Sequence, residues 1–326
     1  DDGACEGARQ NLQGQQMVSP EAFVAVVPRG YAWGDNLTTA AFTPSYQLLA
    51  DTSTGFGELV LSSSAYKLPS VRYIRGTVAF LSVRWGDRGY FHWMFDVLAR
   101  LHLLERSGLH IDKFVFNQIH LDFQKETLAK LGISQEKIIE SCKVHHIQAD
   151  RLVVPSIPKL RGYRSAKWAC NFLRQRFLDE QTKEISQHSE RLYINRELVG
   201  HRNVVNENEV IQTLEKFGFQ SISLESMSLS EQAACMRKAR VIVAPHGAGL
   251  TNLVFCQPGT KIIEIFSPAH VQNTYWIISN VCDLEHYHLM SDEEALGETS
   301  EIRGTRRDIF VNIQQLLKLM EMAGVK

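Results

Sequence analysis

The chain has 326 residues, 44% of them hydrophobic, and a formal net charge of −1. That is ample apolar material for a sizeable core, and the length favours two domains over one. The balanced charge leaves no global basic field for nucleic acid or an anionic membrane, and no apolar run is long enough to span a bilayer.

Residues 1–80 are rich in Gly, Ser, Thr and β-branched residues and read as loops and short strands such as "FVAVV" and "GELVLSSS". "GTVAFLSVRW" (76–85) reads as a buried strand. "YFHWMFDVLARLHLLERSG" (90–108) follows, with Phe91, Phe95, Leu98, Leu101 and Leu104 on helical spacing and Gly108 as a stop. "KFVFNQ" is a strand, "LDFQKETLAKLGI" a helix, and "KIIES" and "ADRLVVPSIP" are strands. "AKWACNFLRQRFLDEQTKEI" (166–185) is a helix leading to the boundary between domains, placed at 182/183.

Beyond it the pattern is regular. "RLYIN", "SISLES", "RVIVAP" and "KIIEIF" are strands. Between them come helices in "ENEVIQTLEKFGF", capped by Asn206 with Glu209 three residues on, in "SLSEQAACMRKA", and in the short "GLTNLVFC". Four strands alternating with three helices predict a Rossmann-like parallel sheet with helices on both faces. "RRDIFVNIQQLLKLMEM" is an amphipathic helix that closes the chain, free to pack back on the N-terminal domain. The expected fold is therefore α/β, with an N-terminal domain over 1–182 and a Rossmann-like domain over 183–326.

In a parallel sheet, ligands bind beyond the carboxyl ends of the strands. "PHGAGLTN" leaves the end of "RVIVA" and opens a helix. Gly247 and Gly249 let a ligand approach the backbone, and the helix N-terminus offers N–H groups to a phosphate. His246 and Thr251 add side-chain donors. Glu264 sits in an otherwise apolar run, where a lone carboxylate is costly unless bonded, and a ribose diol would supply those bonds. The bland alternative is a tight turn with Glu264 facing solvent. Arg196 follows "RLYIN" at another carboxyl end, and Arg202, beside His201, precedes the next helix. Guanidinium forks suit a diphosphate. The alternative for Arg202 is a surface pair with Glu207 or Glu209.

His92 and Asp96 stand four apart on one helix face, a usable base pairing or a structural tether. There is no G-x-G-x-x-G, no Gly-Lys dipeptide, no D-x-D and no H-E-x-x-H, which speaks against a nicotinamide enzyme, a P-loop, a metal-bound diphosphate clamp and a zinc site. "HGAG" has no G-x-S-x-G partner to supply an esterase nucleophile.

The ordered set "RLYINR…HRNVVNENEV…LEKFGF…LSLSEQ…VIVAPHGAGLTNLVFCQPGTKIIEIF" resembles glycosyltransferase family 61, densely over 191–266 and more weakly in "YFHWMFDVLARL". The resemblance implies a GT-B-like enzyme with two Rossmann-like domains facing a cleft. It implies inverting transfer from a UDP-sugar to a hydroxyl of a glycan, peptide or small acceptor, with no required metal or other cofactor. On it, Arg196, Arg202, His246, Gly247, Ala248, Gly249, Leu250, Thr251, Asn252 and Glu264 are donor-side residues. His92 and Asp96 form the acceptor-side base, with Asp96 favoured as the base itself and the reverse left open. A non-catalytic nucleotide- or glycan-binding module and a phosphate-ester hydrolase using the same anion site are the alternatives.

Cys5, Cys142, Cys170, Cys235, Cys256 and Cys282 include no C-x-x-C and read as reduced core residues. They favour a cytoplasmic setting, and the chain, short for a secretory member of that family and with no visible anchor, fits a bacterial-type one. The chain begins at Asp1 without Met, so a secretory lumen is the expectation if an N-terminal anchor is missing.

Overall fold

The computed structural model of the chain describes residues 21–35, 37–55, 70–158, 166–178, 188–292 and 307–326. The strand expected in "GELVLSSS" lies outside them. By contacts the chain divides into two units, one over Val18–Arg176 and the other holding Phe177–Lys326.

The first unit is built on a seven-stranded mixed sheet in the order β3-β2-β7-β4-β5-β6, with β1 also on β7. The strands are β1 (Val24–Pro28), β2 (Tyr31–Gly34), β3 (Thr39–Phe42), β4 (Arg72–Phe80), β5 (Lys113–Phe116), β6 (Ile138–Glu140) and β7 (His146–Pro155). β7 is ten residues long and serves two partners along one edge. Its start pairs antiparallel with β2, as Trp33↔His146, and its end with β1, as Val24↔Pro155. Its other edge runs parallel to β4. β4, β5 and β6 are mutually parallel and joined through helices, so the carboxyl ends of β4 and β5 lie side by side. Val78, Phe80, Val115, Ile147, Leu152 and Val154 fill the core under this sheet.

The helix after β4 is unusual. His92–Leu98 is π-helical, with the Ala99 amide donating to the Met94 carbonyl five residues back, and it runs into an α-helix over Ala99–Ser107. Gly108 ends it at φ 65°, the left-handed geometry that favours glycine at a helix stop.

The second unit is a five-stranded, wholly parallel sheet in the order β12-β11-β10-β8-β9. Its strands are β8 (Arg191–Ile194), β9 (Gln220–Ile222), β10 (Val241–Pro245), β11 (Lys261–Phe266) and β12 (Glu285–Met290). β12 and the helix before it, Thr274–Val281, were not anticipated from sequence. "SISLES" is strand only over its first part, and Leu224–Ser226 is a 3-10 turn.

On one face Tyr193, Val243, Ile263, Ile265 and Leu289 pack with Val210 and Leu214 of the helix Glu207–Glu215 and with Leu316 and Met320 of the helix Ile313–Met322. The last helix thus buries its apolar stripe in this sheet's own core. Asn206 precedes its helix but makes no side-chain cap. Its amide instead clamps the backbone of Val311 in both directions, at 2.9 and 3.0 Å. Ser228 and Glu231 form a full capping box, as a Ser-x-x-Glu start favours.

The connection from β8 goes to β9 on one side, and the chain then returns to place β10 on the other side of β8. That reversal makes the carboxyl ends of β8 and β10 a topological switch point, where a crevice opens in sheets of this kind.

Candidate active site

Arg196 leaves the end of β8 and His246 the end of β10, so both stand at the switch point. Arg196 is 7% exposed and donates through Nε and Nη2 to the His201 carbonyl at 3.3 and 3.0 Å. Its guanidinium lies against Gly247: a Cβ there would fall 1.8 Å from Arg196 Nη1. Gly247 is extended, at φ −177°, so its glycine answers to space and not to backbone conformation. Burial first, and Arg202 second, lower the Arg196 pKa to about 10, which leaves it charged at neutral pH.

Arg202 is held in the left-handed region at φ 53°, a costly backbone for a residue with a side chain. Its Nη2 lies 3.3 Å from His201 Nε2, and its buried Nε has no hydrogen-bond partner. It does not pair with the neighbouring carboxylates. Glu207 accepts from the Tyr193 hydroxyl and Glu209 from Asn206.

Glu264 is fully buried. Both its oxygens are bonded, Oε1 to His246 Nδ1 at 2.5 Å and Oε2 to His286 Nε2 at 3.0 Å. His286 Nδ1 is in turn 2.8 Å from Ser279 Oγ. The bonds this carboxylate needs therefore come from two histidines and not from a ribose, which has no exposed surface of Glu264 to reach. Burial alone would raise its pKa, but the charge and hydrogen bonds of His246 and His286 outweigh that and lower it. An ionised Glu264 holds His246 with Nδ1–H inward, so Nε2 is the atom that can meet a ligand, as a donor to an anion when the ring carries both protons. The His246 ring is packed by Phe266, His270 and Tyr275 at 5.0, 5.1 and 5.1 Å. Burial, then His246 and the arginine beside it, lower the His270 pKa to about 4. Burial and Glu264 raise that of Tyr275, whose hydroxyl sits at Thr251.

The 3-10 helix Ala248–Phe255 starts directly after Gly247. Ala248 is exposed and Gly249 half-buried, so the backbone of this first turn is what the loop presents. Leu250, Thr251 and Asn252 point inward: Leu250 is core, and Asn252 donates to Gln232 Oε1 at 2.8 Å. Sequence reasoning missed His286, His270 and Tyr275, which all lie in the stretch after β11. The alternation in "EHYHLM" was the available signal.

In the first unit His92 Nδ1 and Asp96 Oδ2 are 2.7 Å apart. The Asp96 side chain is 1% exposed and that of His92 13%. One turn further on, the fully buried Arg100 spans the backbone, donating to the carbonyls of Phe80, Leu81 and Pro155 at 2.8–3.2 Å. Burial lowers its pKa to about 9 while Asp96 opposes the shift. His92, Asp96 and Arg100 form one line along the helix, with only His92 reaching the surface. Among the described residues no group of three His, Cys, Asp or Glu side chains is arranged to hold a metal ion, and no helix is long and apolar enough to cross a membrane.

Comparison with known proteins bears on both sites. A family model described as Glycosyltransferase 61 matches residues 90–263. The chain is 38% identical over 61 residues to Beta-1,2-xylosyltransferase RCN11 of Oryza sativa subsp. japonica, covering 19% of this chain and 11% of that protein. It is 28% identical over 134 residues to Beta-1,2-xylosyltransferase of Arabidopsis thaliana, 37% of this chain and 23% of that one. It is 34% identical over 70 residues to EGF domain-specific O-linked N-acetylglucosamine transferase of Drosophila melanogaster, 21% of this chain and 14% of that one. The matched stretches thus span less than a quarter of each relative. The family match runs from just before His92 to the last residue before Glu264 and takes in more than half of the chain, which belongs to glycosyltransferase family 61.

Proposed function

We propose that the chain is an inverting glycosyltransferase that moves a sugar from a UDP-sugar to an acceptor hydroxyl without a required metal. One observation carries the reading: two arginines and a histidine held by a buried carboxylate converge on a glycine-lined helix start at the switch point of a parallel sheet. Such a set suits a diphosphate, whose charge it neutralises as the leaving group departs. The donor is assigned to the C-terminal unit and the acceptor to the N-terminal one, the division of labour of a GT-B enzyme.

His92 is assigned as the base, reversing the order favoured from sequence. Asp96 is the less exposed of the pair and is bonded to Nδ1–H, which leaves His92 Nε2 to take the proton. The acceptor oxygen then attacks the anomeric carbon on the face opposite the diphosphate. The bond to phosphate breaks, UDP leaves with the electron pair, and Asp96 stabilises the imidazolium.

Incubation with UDP-xylose and UDP-N-acetylglucosamine, the donors that the relatives' names suggest, tests the reading. Transfer or slow UDP release supports it; hydrolysis of simple phosphate esters instead would overturn it. Arg196→Ala is expected to weaken UDP binding by about 1.5–3 kcal/mol, the value of a hydrogen bond to a charged group. Unchanged affinity by calorimetry would take Arg196 out of the donor site. Activity is expected to survive excess EDTA. Loss that Mn²⁺ or Mg²⁺ restores would sink the metal-free mechanism.

A further inference from the structure

The loop that joins β4 to the His92 helix holds a second enclosed carboxylate. Asp87 is 6% exposed, and its buried Oδ1 has no hydrogen-bond partner. The other oxygen has only a loose, solvent-exposed pairing, 3.5 Å from Arg88 Nε. A carboxylate oxygen withdrawn from water and left unbonded is costly, and a folded protein that keeps one gives it a bound water, an ion or a functional role.

The backbone around Asp87 is fixed with unusual care. Asn117, fully buried at the end of β5, accepts from Val83 N at 2.9 Å and donates to Val83 O at 2.8 Å. Gly86 packs so closely on it that a Cβ would lie 2.2 Å from Asn117 Oδ1. Gln124, also fully buried, donates to the carbonyls of Gly86 and Asp87 at 3.1 and 3.3 Å. Trp85 is held at φ 63°, a strained backbone for a bulky residue. The loop then turns onto the base. The Trp85 and His92 rings are 5.3 Å apart, and a Cβ on Gly89 would come within 2.8 Å of the His92 ring. Two buried amides, a strained tryptophan and two glycines forced by space all fix the segment that carries the unbonded oxygen beside His92. None of that is needed to close a surface loop. Asp87 also precedes the stretch matched by the family model.

We propose that Asp87 is the anchor of the acceptor subsite: Oδ1 accepts a hydrogen bond from a hydroxyl of the acceptor sugar, so that a neighbouring hydroxyl of the same sugar is presented to His92 Nε2. The inference rests on the transferase reading and adds to it the chemical class of acceptor, a sugar offering two hydroxyls. A carboxylate accepts from a hydroxyl through a short, charge-assisted bond, and an amide in its place does so weakly.

Binding of methyl glycosides of xylose, N-acetylglucosamine, mannose and galactose, read by saturation-transfer NMR, tests it on the full chain. At least one glycoside is expected to bind the wild type, and Asp87→Asn to weaken it about tenfold or more. Arg88→Ala is expected to leave that binding within about twofold, since the exposed pair contributes little. Asp87→Asn is also expected to keep or raise the melting temperature, because a neutral amide costs less to bury; a carboxylate with a structural role would give a clear loss. Undiminished glycoside binding by Asp87→Asn, a fall in its stability, or no glycoside bound by the wild type each overturns the proposal. UDP binding measured alongside separates the two readings. UDP bound without any glycoside ends the acceptor subsite alone, whereas no UDP bound ends the donor site, and the glycoside data still decide Asp87.

Discussion

His92→Gln is expected to slow sugar transfer by about 10²–10⁴-fold, the usual worth of a positioned general base, while leaving UDP affinity unchanged. The expectation follows from exposure as much as from chemistry. His92 is the member of the His92–Asp96–Arg100 line that reaches the surface, and its bond to Asp96 assigns the outward nitrogen as the proton acceptor. Glutamine keeps a polar group of similar reach but cannot take a proton. Asp96→Asn is expected to be nearly as damaging, because an amide no longer holds Nδ1–H inward or stabilises the imidazolium. Asp96→Asn also leaves Arg100 in the interior without its nearby charge, so its fold must be checked by near-ultraviolet circular dichroism. If folded His92→Gln transfers sugar at close to the wild-type rate, the base lies elsewhere. If Asp96→Asn is severely impaired while His92→Gln is not, the order of the two reverts to the one favoured from sequence.

Glu264→Ala is expected to cost about 3–5 kcal/mol of stability, read as a shift in urea midpoint with an unchanged slope. The substitution leaves His246 and His286 facing a buried gap and removes the negative charge that the surrounding cationic groups share. The pH dependence gives a second readout. The Glu264 pKa in the folded protein lies below its ordinary value of 4.5, so its contribution is present above about that pH and is lost as pH falls through the lowered folded value. His270 acts at a higher window. Its folded value is about 4 against an ordinary 6.5, so the unfolded chain binds the proton first, and stability falls as pH drops between those two. Wild type should therefore weaken from about pH 6.5 downward and more steeply below about 4.5, and Glu264→Ala should lack the second part. A loss under about 1 kcal/mol with an unaltered pH profile would show that the histidine pair does not depend on Glu264.

Much of this arrangement can be read from particular residues, and the gaps have physical reasons. β8, β10 and β11 are short, apolar and bounded by turns, so their type and order are legible, and with them the positions of Arg196 and His246. Glu264 stands out as a carboxylate in an apolar run, but its partner is not legible. His286 meets it across the sheet, where β11 and β12 align Ile262 with His286 and Glu264 with His288, and no local pattern encodes that register. β12 itself has the composition of an edge strand, with a glutamate and two histidines in "EHYHLM", and so does not look buried. Arg100 was passed over because an arginine in a helix ordinarily marks a wet face. The double service of β7 to β1 and β2 depends on contacts more than a hundred residues apart in the chain.

The π-helical stretch at His92–Leu98 has a consequence for how the helix tolerates insertion and deletion. An α-helix advances 100° per residue, and a π turn accommodates one residue more than an α turn does. Deleting a single residue among 93–95 would let the segment relax to a regular α-helix. His92 and Asp96 would then stand three apart in an α-helix in place of four apart in a π turn, a change of only about 30° that keeps them on one face. Such a variant would fold around the same core strands and keep its helical content, with its histidine still on the face of its carboxylate. The π turn is thus a place where the helix can lose one residue of length without moving the pair off its shared face.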